Sequence, residues 1–168
     1  MAETVAPEAT LREAGPEDLS FILELEANPA VRPYILPWDK AAHLARLVEP
    51  DSQYLIGENA TGAVGFAILA GVANPHRAVE LVRIAVREPG SGLGLPFLLQ
   101  VMDYAFSELA AHRLWLDVME HNSRARHVYE KAGFVREGVL REAVFAQKRF
   151  VSLVVMSVLE WEWRKQRR

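Results

Sequence analysis

Apolar positions along the chain recur with two periods, and the switches between those periods outline the elements. Thr10-Leu11-Arg12 reads as a short strand. Pro16, Glu17 and Asp18 suit the first turn of a helix: proline there sacrifices no bond, and acids face the positive end of the dipole. Phe21, Ile22 and Leu25 follow at helical spacing. Asn28-Pro29 stops that helix, and Pro33 and Pro37 interrupt the segment holding Tyr34 and Trp38. Asp39 can cap a second helix, with Leu44, Leu47 and Val48 on its apolar face. Gln53–Gly57 and Ala63–Gly71 are strands joined by turn residues, a hairpin, and Val79–Val86 is a further, β-branched strand.

The longest helix carries Leu95, Leu98, Leu99, Met102, Phe106 and Leu109, three and four apart. Pro96 is tolerated only in a first turn, which fixes the start near Gly94. Arg113–Met119 is a strand. Asn122 or Ser123 then caps a short helix with Ala125, Val128, Tyr129 and Ala132 on one side, ended by Gly133. Two long strands, roughly Phe134–Val144 and Phe150–Leu159, close the chain. The predicted order is β-α-α-β-β-β-α-β-α-β-β, an α+β fold on one mixed sheet of about seven strands with flanking helices. The hairpins make most of it antiparallel, whereas the strand-helix-strand unit between Val79 and Met119 requires a right-handed parallel crossover. Residues 1–9 are expected to be a flexible N-terminus, 10–161 one domain and 162–168 a basic tail.

Composition narrows the functional classes. The length, 168 residues, suits one domain with a substantial core. A net charge of -3 supplies no field for nucleic acid, and positive charge is local, at Arg124 and Arg126 and in the tail. With no cysteine there is no disulfide, thiolate metal site or cysteine nucleophile, and the histidines show no metal spacing. No apolar run is long enough for a membrane span, and the acidic start is unlike a secretory signal, so a cytoplasmic location is expected.

The candidate chemistry centres on Val79 to Phe97. A strand runs into glycines at 90, 92 and 94 and then into a helix. Glycines let backbone N–H groups converge, and the new helix adds unpaired donors and its positive dipole end. This is the arrangement that receives a phosphate. A purely structural tight turn remains the alternative. The loop is not a nucleotide P-loop, because no Lys-Ser/Thr follows it, and Ser91 is not a nucleophile elbow. Asp117 on the next strand sits where a dinucleotide fold places a ribose-binding acid, which keeps a dinucleotide-binding domain as a third reading.

The block ELVRIAV, then GSGLG, then WLDVMEHNSRARHVYEKAGFVREG, resembles the GNAT superfamily of acetyl-CoA-dependent N-acetyltransferases, closest in style to its RimJ/RimL-like and spermidine-acetyltransferase-like branch. The most specific part is Asn122 to Phe134, which matches N-x-x-A-x-x-x-Y-x-x-x-G-F. The family's loop signature, (Q/R)-x-x-G-x-(G/A), fits in two registers. One begins at Arg87. The other, preferred, centres on Gly90-Ser91-Gly92-Leu93-Gly94 and leaves the part of Arg87 open.

The resemblance implies the GNAT fold and a direct transfer of acetyl from acetyl-CoA to a primary amine, either a small molecule or polyamine or a protein N-terminus, with no metal. A non-catalytic acyl-CoA-binding module is the alternative from another class. The resemblance further implies pantetheine along Ile84, Ala85 and Val86, with pyrophosphate on the amides from Gly90 to Leu95. It also implies a base at Glu80, an acid at Tyr129, and a capping Asn122 that also bonds the pantetheine arm. Arg126 and Lys131 are candidates for the 3′-phosphate. Tyr34, Trp38 and the turn near Arg141–Gln147 are candidates for the acceptor side, where Glu26, Asp39 and Glu142 could favour a polyamine or a basic peptide end. The two long C-terminal strands could pair with a second copy, which leaves a homodimer open.

Overall fold

A computed structural model describes residues 9–168. The expected flexible N-terminus lies outside those residues except for Ala9, whose carbonyl accepts from Gln100 Nε2. The chain runs β1 (Thr10–Glu13), α1 (Leu19–Ala27), α2 (Lys40–Leu47), β2 (Ser52–Asn59), β3 (Gly62–Ala70), β4 (Ala78–Val86), α3 (Gly94–Ser107), β5 (Arg113–Met119), α4 (Ser123–Lys131), β6 (Val135–Ala146), β7 (Arg149–Leu159) and α5 (Glu160–Gln166). Short 3-10 turns at Pro16–Asp18 and Arg32–Tyr34 precede α1 and α2. All strands join one sheet in the order β1-β2-β3-β4-β5-β7-β6. Of its pairs, β4–β5 alone is parallel, with α3 as the crossover. A doubly wound dinucleotide sheet needs several parallel strands, so that reading falls.

Two apolar layers hold the sheet. Alternate residues of β2 part between them: Leu55 goes to one side and Tyr54 and Ile56 to the other. The first side is closed by Phe97, Leu98, Val101 and Met102 of α3, the second by Leu19, Ile22 and Leu25 of α1. Gly57 and Gly65 pair across β2 and β3, and a Cβ on either would strike the ring of Phe97, at 2.7 and 3.2 Å. Their bare backbone is the slot in which α3 seats its aromatic anchor.

Two expectations need correction. On α2 the structure buries His43 completely and leaves Leu44 and Val48 exposed. The histidine wins the inner face because both ring nitrogens find partners there, Glu26 and Tyr54. The stretch expected to be a basic tail beyond residue 161 is mostly helical. Glu162 accepts from the Leu159 N–H at 2.9 Å and so caps α5. Trp163 stacks on Phe106 of α3 at 5.1 Å and donates to Asp103 at 2.8 Å, and Arg167 pairs with the same carboxylate. An indole docked on the core outweighs the charge of the segment. The β6–β7 hairpin turns through Gln147 and Lys148, both in left-handed backbone, with φ of 52° and 63°. Among the described residues no helix is long and apolar enough to cross a membrane, and no three acidic or histidine side chains cluster as a metal site.

Candidate active site

The site begins with a defect in the sheet. β3 pairs Ile68 with Arg83 but Leu69 with Leu81, leaving Val82 as an extra residue in β4. A bulge of this kind bends its strand and sharpens the twist. On its other edge β4 pairs with β5 at Ala78, Val79 and Glu80, and no further. Beyond Glu80 the two strands part and an 860 Å³ cleft opens between them. Ile84, Ala85 and Val86 line its β4 wall, Asp117, Val118 and Met119 its β5 wall, and Asn122, Ala125 and Tyr129 of α4 lie between. Peptide groups on the parted edge have lost their neighbouring strand, so they are available to an extended ligand.

The glycine loop closes one end of the cleft. Gly90 and Gly92 both stand at φ +87°, a backbone that side chains rarely adopt. A Cβ at Gly92 or Gly94 would meet nothing within 4 Å, so the loop faces open space. No side chain caps α3, and its first-turn amides at Gly94 and Leu95 stay free for an anion. Arg124 Nη1 lies 4.0 Å from where a Gly90 Cβ would stand. The loop and the unpaired β4 edge fit a diphosphate with a peptide-like arm, both of which coenzyme A carries.

Of the expected cofactor residues, Ile84, Ala85, Val86, Gly90, Gly92, Gly94, Leu95 and Asn122 line the cleft. Four do not: Arg87, Ser91, Leu93 and Arg126. Arg87 turns the other way, donating to Ala63 O and Glu24 at 3.2 Å each and packing over Phe21. This favours the register centred on Gly90–Gly94. Ser91 is held in the turn by its N–H to Glu88 O, and Leu93 by its N–H to Ser91 Oγ. Arg126 is half-buried with its Nε unpartnered. The cations that do line the cleft are Arg83, Arg124 and Lys131. The sequence showed Arg124 as a local charge; its place in the first turn of α4, two residues after the cap, is what aims it at the loop. Asn122 caps that helix, accepting from Ala125 N at 3.2 Å.

Glu80, Asp117 and Tyr129 converge where the strands separate. Glu80 pairs in register with Trp115, and Asp117 follows two residues later on the same face of β5. Burial, and then the Asp117 carboxylate, push the Glu80 pKa above the ordinary carboxylate range, with Arg46 opposing. Burial raises Asp117 as well. The Tyr129 phenol is pushed up to about 12 by burial and by Asp117. Its ring packs against Phe134, 5.8 Å between centroids.

The acceptor side is built on a buried polar network. Glu26 of α1 pairs with Arg83 and, at 3.0 Å, with Nε2 of His43. A carboxylate only accepts, so Nε2 carries a proton, and in the neutral ring Nδ1 accepts from the Tyr54 hydroxyl at 3.0 Å. Arg83 also donates to Leu36 O at 2.6 Å, tying the segment before α2 to β4. The guanidinium carbons of Arg46 and Arg83 sit 4.0 and 4.2 Å from the centre of the Trp38 ring. Tyr34 and Trp38, the candidates for the acceptor side, also line the cleft.

Residues 9–135 match the sequence model of the acetyltransferase (GNAT) domain family. The spermidine N(1)-acetyltransferase of Vibrio cholerae is 28% identical over 160 residues, covering 90% of this chain and 92% of that protein. The Escherichia coli enzyme of the same name is 27% identical over 165 residues, 91% and 87% of the two chains. Among solved structures, the Vibrio cholerae spermidine N-acetyltransferase in complex with CoA and spermine superposes with a TM-score of 0.84 at 27% identity, over 94% of this chain and 98% of that one.

Proposed function

The chain belongs to the GNAT acetyltransferase family and transfers acetyl from acetyl-CoA to an amine, and from that premise we propose which of its residues carry the transfer. Acetyl-CoA supplies the activated thioester. The parted β4 edge at Ile84, Ala85 and Val86 binds the pantetheine arm, and the amides of the loop and of α3 bind the diphosphate. Arg124 and Lys131 add charge at that end.

Glu80 takes the proton of the incoming ammonium, which is otherwise held to a pH near ~10. Its raised pKa suits the task, since a stronger base accepts that proton more readily. A main-chain N–H near Ala85 donates to the thioester carbonyl as charge gathers there, worth ~3 kcal/mol for one such donor. Tyr129 donates a hydrogen bond to the departing sulfur as negative charge gathers on it. Asn122 fixes the helix that carries Tyr129 and bonds the pantetheine arm. The observation that carries this reading is the separation of β4 from β5 directly after Glu80, with Tyr129 in the gap.

Free thiol released from acetyl-CoA over a panel of amines tests it, alongside thermal shifts with acetyl-CoA, CoA and NAD. Stabilisation by both CoA species and amine-dependent thiol release are expected. No release above buffer hydrolysis with any amine would sink the assignment. Pairing of two copies through the β6–β7 edge is supported by Phe145 and Phe150, 62% and 65% exposed on the outermost hairpin.

A further inference from the structure

The chemistry of the acceptor can be narrowed, because, of the three acids that would attract a polycation, Glu26 and Asp39 are already committed and Glu142 does not line the cleft. Glu26 is 2% exposed, paired with Arg83 and hydrogen-bonded by His43 Nε2. Asp39 spends its carboxylate capping α2, accepting from Ala42 N at 2.8 Å. The indole of Trp38 already lies under two guanidiniums, so a further cation brought to that ring meets their charge. The anionic side chains left on the cleft wall are Glu80 and Asp117, both beside the gap. Outward from them the wall is apolar or aromatic: Tyr34, Ile35, Leu36, Val144 and Leu153. A second hollow of 520 Å³ shares Ile35 and Leu36 with the cleft and continues between Pro29, Pro37 and Ala146.

We infer that the acceptor is a monoamine on an apolar or aromatic body: its single ammonium is received beside Glu80 and Asp117, and its body lies against Tyr34, Leu36, Val144 and Leu153. This rests on the transferase reading above and names the substrate class of that same site. A polyamine can satisfy one ammonium at the two carboxylates, but its remaining ammoniums then face apolar walls or the arginines over Trp38, where a charge goes unpaired. Asp117 becomes a specificity residue, holding the ammonium while Glu80 removes its proton.

The test is the thiol-release rate with the full chain and four acceptors: phenethylamine, a phenylalanyl peptide amide, butylamine and spermidine. At least one of the two aromatic acceptors should exceed spermidine in kcat/KM by about tenfold or more. Which of the two leads distinguishes a small-molecule acceptor from a peptide end. Asp117→Asn should raise the KM of the favoured amine about tenfold and leave that of acetyl-CoA unchanged. Arg46→Gln, which strips one cation from the indole, should raise the ratio of kcat/KM for spermidine to that for phenethylamine, a ratio in which its effect on Glu80 cancels. Spermidine equal to or better than the aromatic amines overturns the inference and leaves the transferase reading standing. So does an amine KM unmoved by Asp117→Asn. Acetyl-CoA binding with no release from any acceptor overturns the transferase reading and this inference with it.

Discussion

Tyr129→Phe removes one hydroxyl and keeps the ring against Phe134. Among the described residues, the buried polar atoms left without a partner are Gln100 Oε1 and Arg126 Nε, and the Tyr129 hydroxyl is not one of them, because Tyr129 lines the cleft. The substitution therefore breaks no internal hydrogen bond of the core, and Tm should hold within about 2 °C. The effect on rate follows from the acidity of the phenol, pushed up to about 12. Handing a proton from such a phenol to a thiolate of pKa ~8.5 is uphill by about 5 kcal/mol at 1.36 kcal/mol per pH unit. Tyr129 therefore keeps its proton and acts by hydrogen bonding to sulfur as negative charge develops. A hydrogen bond to a charged group is worth ~1.5–3 kcal/mol, so kcat should fall roughly 10- to 150-fold. The KM of acetyl-CoA should change little, because the bond strengthens only as the thiolate forms. The assay is thiol release at saturating acetyl-CoA and amine, repeated across pH. A phenol at about 12 gives the wild-type profile no basic limb of its own below pH ~10. The reasoning fails if kcat stays within about threefold, or if the wild type shows a basic limb near pH ~8.5 that the Phe variant lacks.

Other substitutions probe the base, the slot and the hairpin. Glu80 must be ionised to accept a proton, and its pKa is raised, so at fixed free-amine concentration kcat/KM should climb with pH through a limb displaced above the ordinary 4.5. Glu80→Gln should abolish that limb and cost ~10²–10⁴ in rate, and a limb that persists assigns the base elsewhere. Gly65→Ala drives a Cβ to 2.8 Å from the Ala85 carbonyl and 3.2 Å from the Phe97 ring. It should destabilise the fold by ~1–3 kcal/mol in urea titrations and raise the KM of acetyl-CoA more than that of the amine, since the struck carbonyl belongs to β4. Lys148→Gly relieves one left-handed residue at φ 63° while sparing Gln147, which donates to Pro33 O at 2.9 Å. About 1 kcal/mol of relief should raise Tm by roughly 2–4 °C, and a fall would show that the Lys148 side chain holds the hairpin.

Features governed by local rules were legible in the sequence. Pro96 set the start of α3, Asn122 the start of α4, and the spacing of glycines the loop, because each depends on a few adjacent residues. The features that were not legible arise from pairing across the sheet. VELVRIAV breaks its alternation at Leu81-Val82, but an apolar doublet also suits a strand buried on both faces, so Val82 is marked as the extra residue only by the pairing with β3. Arg83 is a charged residue that a strand usually turns to solvent, yet it is 7% exposed, and its partner Glu26 comes from α1. His43 looked polar among leucines until Glu26 and Tyr54 closed around it. In α5, tryptophans at 161 and 163 have strand spacing, and the segment is helical with Glu162 capping it and Trp163 docked on Phe106.

A chain of net charge -3 must still hold a polyanionic cofactor, and the topology explains how. The one parallel pair of the sheet, β4–β5, sends both strands out at the same end, and a helix follows each. The N-termini of α3, at Gly94, and of α4, at Ser123, consequently arrive on the same side of the gap. Each brings free or partly used amides and the positive end of a dipole, an anion site made without side-chain charge. Antiparallel neighbours would have sent one strand back the other way and placed one of those helices at the far end of the sheet. The same geometry positions the phenol: Tyr129 lies seven residues after Asn122, two helical turns on, which returns its side chain to the face that meets the cleft. The parallel pair thus fixes where an anion can bind, and the bulge at Val82 falls just after Glu80, where the strands separate.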